Sequence, residues 1–426
     1  MKFKKYTDKK LGETVYCGKH ESGLEIRVLP KEGYSSAYAV FGTKYGSIDT
    51  AVRNADGEFE TIPEGTAHFL EHKLFESEDL NAFERFAKTG ASANAYTSFE
   101  KTAYLFKGSD KTEESLEILL DFVQNPYFTQ QTVEKEQGII GQEIRMCDDS
   151  PDRRVLFNLL RTMYQKHPVR VDIAGTVESI SHITPELLYD CYYTFYNLHN
   201  MVLCVCGNVD VETVCEVADR VLIPAKDLSL DMALPEEPDE VSAPFVEETM
   251  PVAAPLFYLG CKCPVKGRYL SDREMAACEL IVDLLTAPSA PLYAALMRDG
   301  LINDSFGGEF FEGRSFAMFL LGGESADPKQ VQQRIDEELT RLRNEGVDRE
   351  RFEELRASLY GRMLRRFNSV ENAAMCMMDD HFHERAPFAQ SEAIAALTAE
   401  DVDRILREWM IPAHETLSVV KAKEDV

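Results

Sequence analysis

One order of elements occurs twice along the 426 residues of this chain, on either side of an acidic, proline-containing stretch. In the first half an apolar run, SSAYAVFGTKYGSI, precedes a helical segment opening at GTAHFLEHKLF. Helical NAFERFAKTG follows, then two strand-like pieces, ASANAYTSF and KTAYLFKG, and the amphipathic TEESLEILLDFVQ. In the second half VAAPLFYLGCKCPV precedes DREMAACELIVDLLT and PLYAALMRDG. The strands DSFGGEFFEG and SFAMFLLGGES and the helix KQVQQRIDEELTRLRN then repeat the pattern. Both halves close on long helices, PELLYDCYYTFY and AEDVDRILREWM. A chain of this length exceeds one ordinary core. The matched order therefore predicts an α+β fold of two homologous half-domains, each an antiparallel β-sheet packed against helices. The expected division is residues 1–222, a linker at 223–250 and residues 251–426. The halves share little identity, so this reading rests on pattern.

Composition narrows the partners. The net charge of −27 argues against nucleic acid, which needs basic patches. It leaves room for an acidic cavity that attracts basic peptides. No run approaches eighteen uninterrupted apolar residues, so no membrane span is expected. The N-terminus, MKFKKYTDKKLGETVYCGKH, is basic without an apolar stretch behind it, so no signal peptide is visible. Ten cysteines are scattered singly apart from Cys204/Cys206 and Cys261/Cys263, which lie in β-like runs. Reduced, partly buried thiols in a cytoplasmic protein are the expectation.

Within GTAHFLEHKLF, His68 and His72 stand one helical turn apart with Glu71 beside them. Thr66 is the expected N-cap after Pro63 and Gly65. Two imidazoles so spaced can reach one ion, and the glutamate is free to hold a water instead. This is the inverted form of the H-E-x-x-H zinc helix. Chance would supply roughly 0.02 such matches in a chain of this composition, so the spacing favours a metal site over three unrelated polar residues. A third protein ligand and one open position are then required. TVEKEQGIIGQEIRMCDD offers Glu136 and Glu143 on one helical face. A solvated acidic stripe is the competing reading of that pair.

GTAHFLEHKLF, GASANAYTSFEKTAYLF and EKEQGIIGQEIRM, in that order, resemble the pitrilysin-like metallopeptidases, which include the mitochondrial processing peptidases and insulin-degrading enzyme. The likeness is most specific across residues 40–200 and is nearest to the bacterial processing-peptidase-like branch. It implies one Zn2+ per chain, held by His68, His72 and Glu143, with Glu71 as general base. It implies that Glu136 orients a ligand histidine. It also implies that ASANAYT is an exposed sheet edge near the zinc, where Asn94 and Ala95 meet the backbone of a peptide added as an extra strand.

The second half departs from the family. Its counterpart of the zinc helix, EMAACELIVDLL, has no histidine pair. The arginine and tyrosine that such enzymes use to receive the substrate oxyanion are not in place. In LYAALMRDGLINDSF, Met297 and Asn303 fall near those positions and Arg298 is one residue off. The pattern implies a zinc-bearing subunit whose sister chain supplies the Arg/Tyr pair, the alternative being a homodimer that uses Arg298. The expected function is a zinc endopeptidase acting on short flexible peptides in a closed chamber. The alternative is a non-catalytic scaffold of the same fold, which would not need to retain His68, Glu71, His72 and Glu143. Outside the motif, His381 and His383 read as a surface loop, His167 as a structural turn residue and the Met375–Met378 run as core.

Overall fold

The structure, a computed structural model, describes residues 1–53, 59–78, 80–228, 230, 232 and 234–422. It contains two compact units. One comprises Met1–Ile144, Asp172–Ala233 and Leu364–Phe388; the other comprises Arg145–Val171, Leu234–Met363 and Ala389–Val426.

The first unit is built on a seven-stranded sheet. From edge to edge its strands are Lys4–Asp8, Glu13–Lys19, Glu25–Pro30, Met201–Gly207, Ala37–Thr43, Thr102–Gly108 and Ser92–Thr97. The central strands Ala37–Thr43 and Met201–Gly207 are buried throughout, which explains their unbroken apolar sequences. One continuous core joins the sheet to the helices Thr66–Leu74, Ala82–Thr89, Thr112–Gln124, Pro185–Phe195 and Val211–Val221. Asn81 caps the second of these through Phe83 N, and Gly90 ends it in the left-handed region.

The second unit carries five strands, in the order Phe245–Thr249, Glu415–Lys421, Leu256–Lys262, Phe316–Glu324 and Gly307–Gly313. This repeats the last five positions of the first sheet, in the same sequence of connections. The duplication inferred from element order therefore holds at the level of strand topology. Both sheets are antiparallel apart from one pair each: Glu25–Pro30 runs parallel to Met201–Gly207, and Phe245–Thr249 parallel to Glu415–Lys421. In each case the second strand returns after a long helical crossover, which permits parallel pairing.

Two boundaries differ from the expected division. Helix Pro151–Met163 belongs to the second unit, where it packs on Glu415–Lys421, Leu256–Lys262 and Phe245–Thr249. Its counterpart, Val370–Phe382, belongs to the first unit and packs on Met201–Gly207, Ala37–Thr43 and Glu25–Pro30. Each half of the chain thus lends the equivalent helix to the other half's sheet. Linker-like sequence also stops short of residue 250, because Phe245–Thr249 pairs as an edge strand with Glu415–Lys421. One stretch, Asp272–Arg298, is apolar and long enough to cross a membrane by composition alone. It is two helices, Asp272–Thr286 and Pro291–Arg298, and the first buries Ala276, Leu280, Ile281 and Leu284. A core helix satisfies that composition equally well.

Candidate metal centre

The motif lies on the helix Thr66–Leu74, which rests against the strands Ser92–Thr97 and Thr102–Gly108. The expected cap at Thr66 is corrected. Gly65 occupies the N-cap position at φ 88°, and Thr66 is already helical, donating its hydroxyl to Pro63 O at 2.7 Å. A capping threonine would need an extended backbone, whereas the sharp entry here requires the left-handed region that glycine tolerates.

One turn apart, the His68 and His72 rings lie with centroids 4.5 Å from each other. Glu143 reaches them from the helix Gln130–Asp148, 71 residues beyond His72. Its Oε1 is 3.7 Å from His68 Nε2 and its Oε2 is 3.7 Å from His72 Nε2. The helix buries Val133, Glu136, Ile140 and Ile144, so Glu136 lies on its inner face and Glu143 at the margin. That burial removes Glu136 from a solvated acidic stripe, whereas the Glu143 side chain is 37% exposed. Glu136 Oε1 is 2.9 Å from His72 Nδ1. A carboxylate can only accept, so Nδ1 carries the proton and the Nε2 lone pair points to the cluster.

The electrostatics follow from this crowding. Burial raises the Glu71 carboxyl above its ordinary range, and Glu143 adds to the effect against hydrogen bonding from Thr97 and the proximity of His72. Burial disfavours a charge on His72, but the carboxylates of Glu136, Glu71 and Glu143 outweigh it and raise the imidazole. Burial likewise opposes the charge on Glu136, yet the His72 hydrogen bond and the nearby Lys73 and Lys135 hold its carboxyl low.

One ligand atom from each of His68, His72 and Glu143 lies within 4.8 Å of the others, and this is the one such group among the described residues. Metal–ligand bonds of ~2.0–2.2 Å require donors about 3.4 Å apart in a tetrahedron, so the 3.7 Å separations need little adjustment. Two imidazole nitrogens and a carboxylate oxygen suit zinc, and a carboxylate-anchored histidine fits the same ion. Glu71 accepts from Thr97 Oγ1 at 2.9 Å and is not among the three clustered donors. The sequence reading did not single out Thr97; its signal is the two-residue alternation that puts it on the same sheet face as Ala95.

Asn94 and Ala95 lie on Ser92–Thr97, the edge strand of the first sheet. The Asn94 side chain curls along its own strand and accepts from Ala95 N at 2.9 Å. Near the end of Pro291–Arg298, Met297 and Arg298 are exposed, and Asn303 is engaged by Glu324 at 2.7 Å and by Ser305. The expected loop at His381 and His383 is corrected. His381 is on the last turn of Val370–Phe382, and His383 ends that helix with Nε2 3.2 Å from Glu100 Oε2. Burial presses the His381 imidazole down to about 3. His167 is a turn residue as expected, fully buried and accepting from Val169 N at 3.1 Å. Met377 and Met378 are core residues.

Residues 59–177 match the family Insulinase (Peptidase family M16), and residues 182–359 match the Peptidase M16 inactive domain. The chain is 42% identical to YmfH of Bacillus subtilis, an uncharacterized zinc protease, over 96% of its own length and 97% of that protein's. The chain belongs to the M16 peptidase family. An M16-like peptidase from Alicyclobacillus acidocaldarius superposes with a TM-score of 0.92 at 34% identity, covering 99% of both chains. Over 45% of the chain and 36% of the relative, it is also 34% identical to a probable β subunit of the mitochondrial processing peptidase from Arabidopsis thaliana. The metal cluster lies within the region matched to the first M16 family, and the histidine-free helix Asp272–Thr286 within the region matched to the inactive domain.

Proposed function

We propose that this M16 chain is the zinc-bearing subunit of an endopeptidase that cleaves short, unstructured peptides in a closed chamber. The observation that carries the reading is the convergence of His68, His72 and Glu143, with Glu71 beside them and not part of the donor set. One ion per chain would be held by those three residues. Bound there, zinc would lower the pKa of a coordinated water and polarise the scissile carbonyl. Glu136 keeps the His72 ring in the orientation that presents Nε2. Glu71 Oε2 is engaged by Thr97, which leaves Oε1 to take the water proton and later return it to the leaving amine. The open edge of Ser92–Thr97 would take the peptide as an added strand beside Asn94 and Ala95.

A homologous sister chain carrying the Arg/Tyr pair completes the proposal. Among the described residues, Asn303, which falls near the place of the family's tyrosine, is engaged by Glu324 and Ser305. An acidic chamber formed with that chain would favour basic peptides, and a reducing cytoplasm suits the ten cysteines. A non-catalytic scaffold is not favoured, because it has no use for an intact donor set with its supporting carboxylate. The test is cleavage of a short quenched-fluorescent peptide by the zinc-loaded chain, with and without the sister protein. The isolated chain should be slower by about 100-fold or more, the worth of one oxyanion donor. Full turnover by the isolated chain, abolished by Arg298→Ala, would contradict the heterodimer and favour the homodimer.

A further inference from the structure

Glu71 is held by a single residue of the edge strand. Thr97 Oγ1 donates to Glu71 Oε2 at 2.9 Å. The direction of that hydroxyl is fixed from behind. Thr97 Oγ1 lies 3.3 Å from Thr102 Oγ1, but the fully buried Thr102 donates its own proton to Tyr45 O at 2.9 Å. Thr102 therefore has no hydrogen to offer Thr97. The Thr97 proton goes to the nearer, charged acceptor, and charge-assisted bonds are the stronger kind.

The same residue bounds the open edge. In an antiparallel ladder the backbone groups of alternate residues face the partner strand and the free side. Ala95 N–H meets its own strand's Asn94 Oδ1, so it faces the free side. Ser98 N bonds Lys101 O across the hairpin, which puts Thr97 N–H on the free side with Ala95 and Ala93. Thr97 is the last residue of this edge strand.

We propose that Thr97 is a positioning residue that joins the peptide-binding edge to the base: from the end of the edge strand its hydroxyl fixes Glu71 through Oε2 and leaves Oε1 to act. The inference rests on the assignment of Glu71 as base. Thr97→Val keeps the branched shape and the strand backbone and removes only the hydroxyl, whereas Thr97→Ser keeps the hydroxyl. Both are compared with Glu71→Gln in the zinc-loaded protein, with its partner where turnover requires one. Thr97→Val should lower kcat by about 10- to 100-fold. Its KM should stay within about 2-fold and its zinc content should equal that of the wild type, because Thr97 is not a metal ligand. Thr97→Ser should recover most of the lost kcat. Adding Thr97→Val to Glu71→Gln should cause no further loss, because both act through one carboxylate. Wild-type kcat in Thr97→Val, equal impairment in Thr97→Ser, or zinc loss in step with activity would each overturn the proposal. If Glu71→Gln itself turned over normally, the base assignment would have failed instead.

Discussion

Glu136 contacts the His72 ring although it lies outside the candidate donor set. It is 6% exposed, and its 2.9 Å contact with His72 Nδ1 leaves Nε2 as the ring nitrogen that faces Glu143. Glu136→Gln keeps the shape and weakens the acceptor. Zinc affinity measured by chelator competition should fall about 10- to 100-fold while the protein stays folded. An unchanged affinity would show that the carboxylate serves only to fill space. At this scale much of the site was legible. His68, Glu71 and His72 lie within five residues, and the helix period brings them together without help from the rest of the fold. Glu143 was legible only through the family resemblance, because joining residues 71 apart requires tertiary structure. Thr97 was not legible, since nothing in ASANAYTSF shows that the face opposite Asn94 meets a carboxylate.

The start of the motif helix is where local backbone and metal chemistry meet. A Cβ on Gly65 would stand 2.4 Å from the backbone oxygen of Ala174, and the residue sits at φ 88°. The segment around Gly175 presses back in the same way, with a Cβ there 2.5 Å from Glu64 O. Ser179 Oγ donates to Glu64 O at 2.9 Å and holds the two loops together. Gly65→Ala would therefore displace the helix entrance three residues before His68. It should lower stability by about 1–3 kcal/mol in thermal unfolding and weaken zinc binding as well. Stability and zinc affinity equal to wild type would mean that the loops yield freely. Element identity was readable from the apolar period, as DREMAACELIVDLLT, the helix Asp272–Thr286, illustrates. The Thr66 cap misled because a threonine before an apolar helix looks the same whether it caps or begins the helix. Parallel pairing in each sheet was not readable, because it depends on where a crossover returns.

At the scale of the molecule, duplication explains both the likeness and the asymmetry of the halves. The five-strand order recurs, yet only the first unit carries a metal-ligand cluster among the described residues. The exchanged helices Pro151–Met163 and Val370–Phe382 are equivalent in the two halves and could not be assigned from sequence. Their apolar faces fit either of two homologous sheets, so pattern alone cannot say which one each covers. The proposed sister chain fits this asymmetry: among the described residues the candidate donor set lies in the first unit alone. All of this depends on the claim that zinc is held by His68, His72 and Glu143 while Glu71 handles the proton. The measurement closest to that claim is zinc content alongside peptide turnover in Glu71→Gln and His72→Ala. Glu71→Gln should retain about one zinc per chain and lose turnover by about 100- to 10,000-fold, because an amide cannot take the proton. His72→Ala should lose both metal and turnover. Equal zinc loss in the two variants, or full zinc occupancy in His72→Ala, would contradict the assignment.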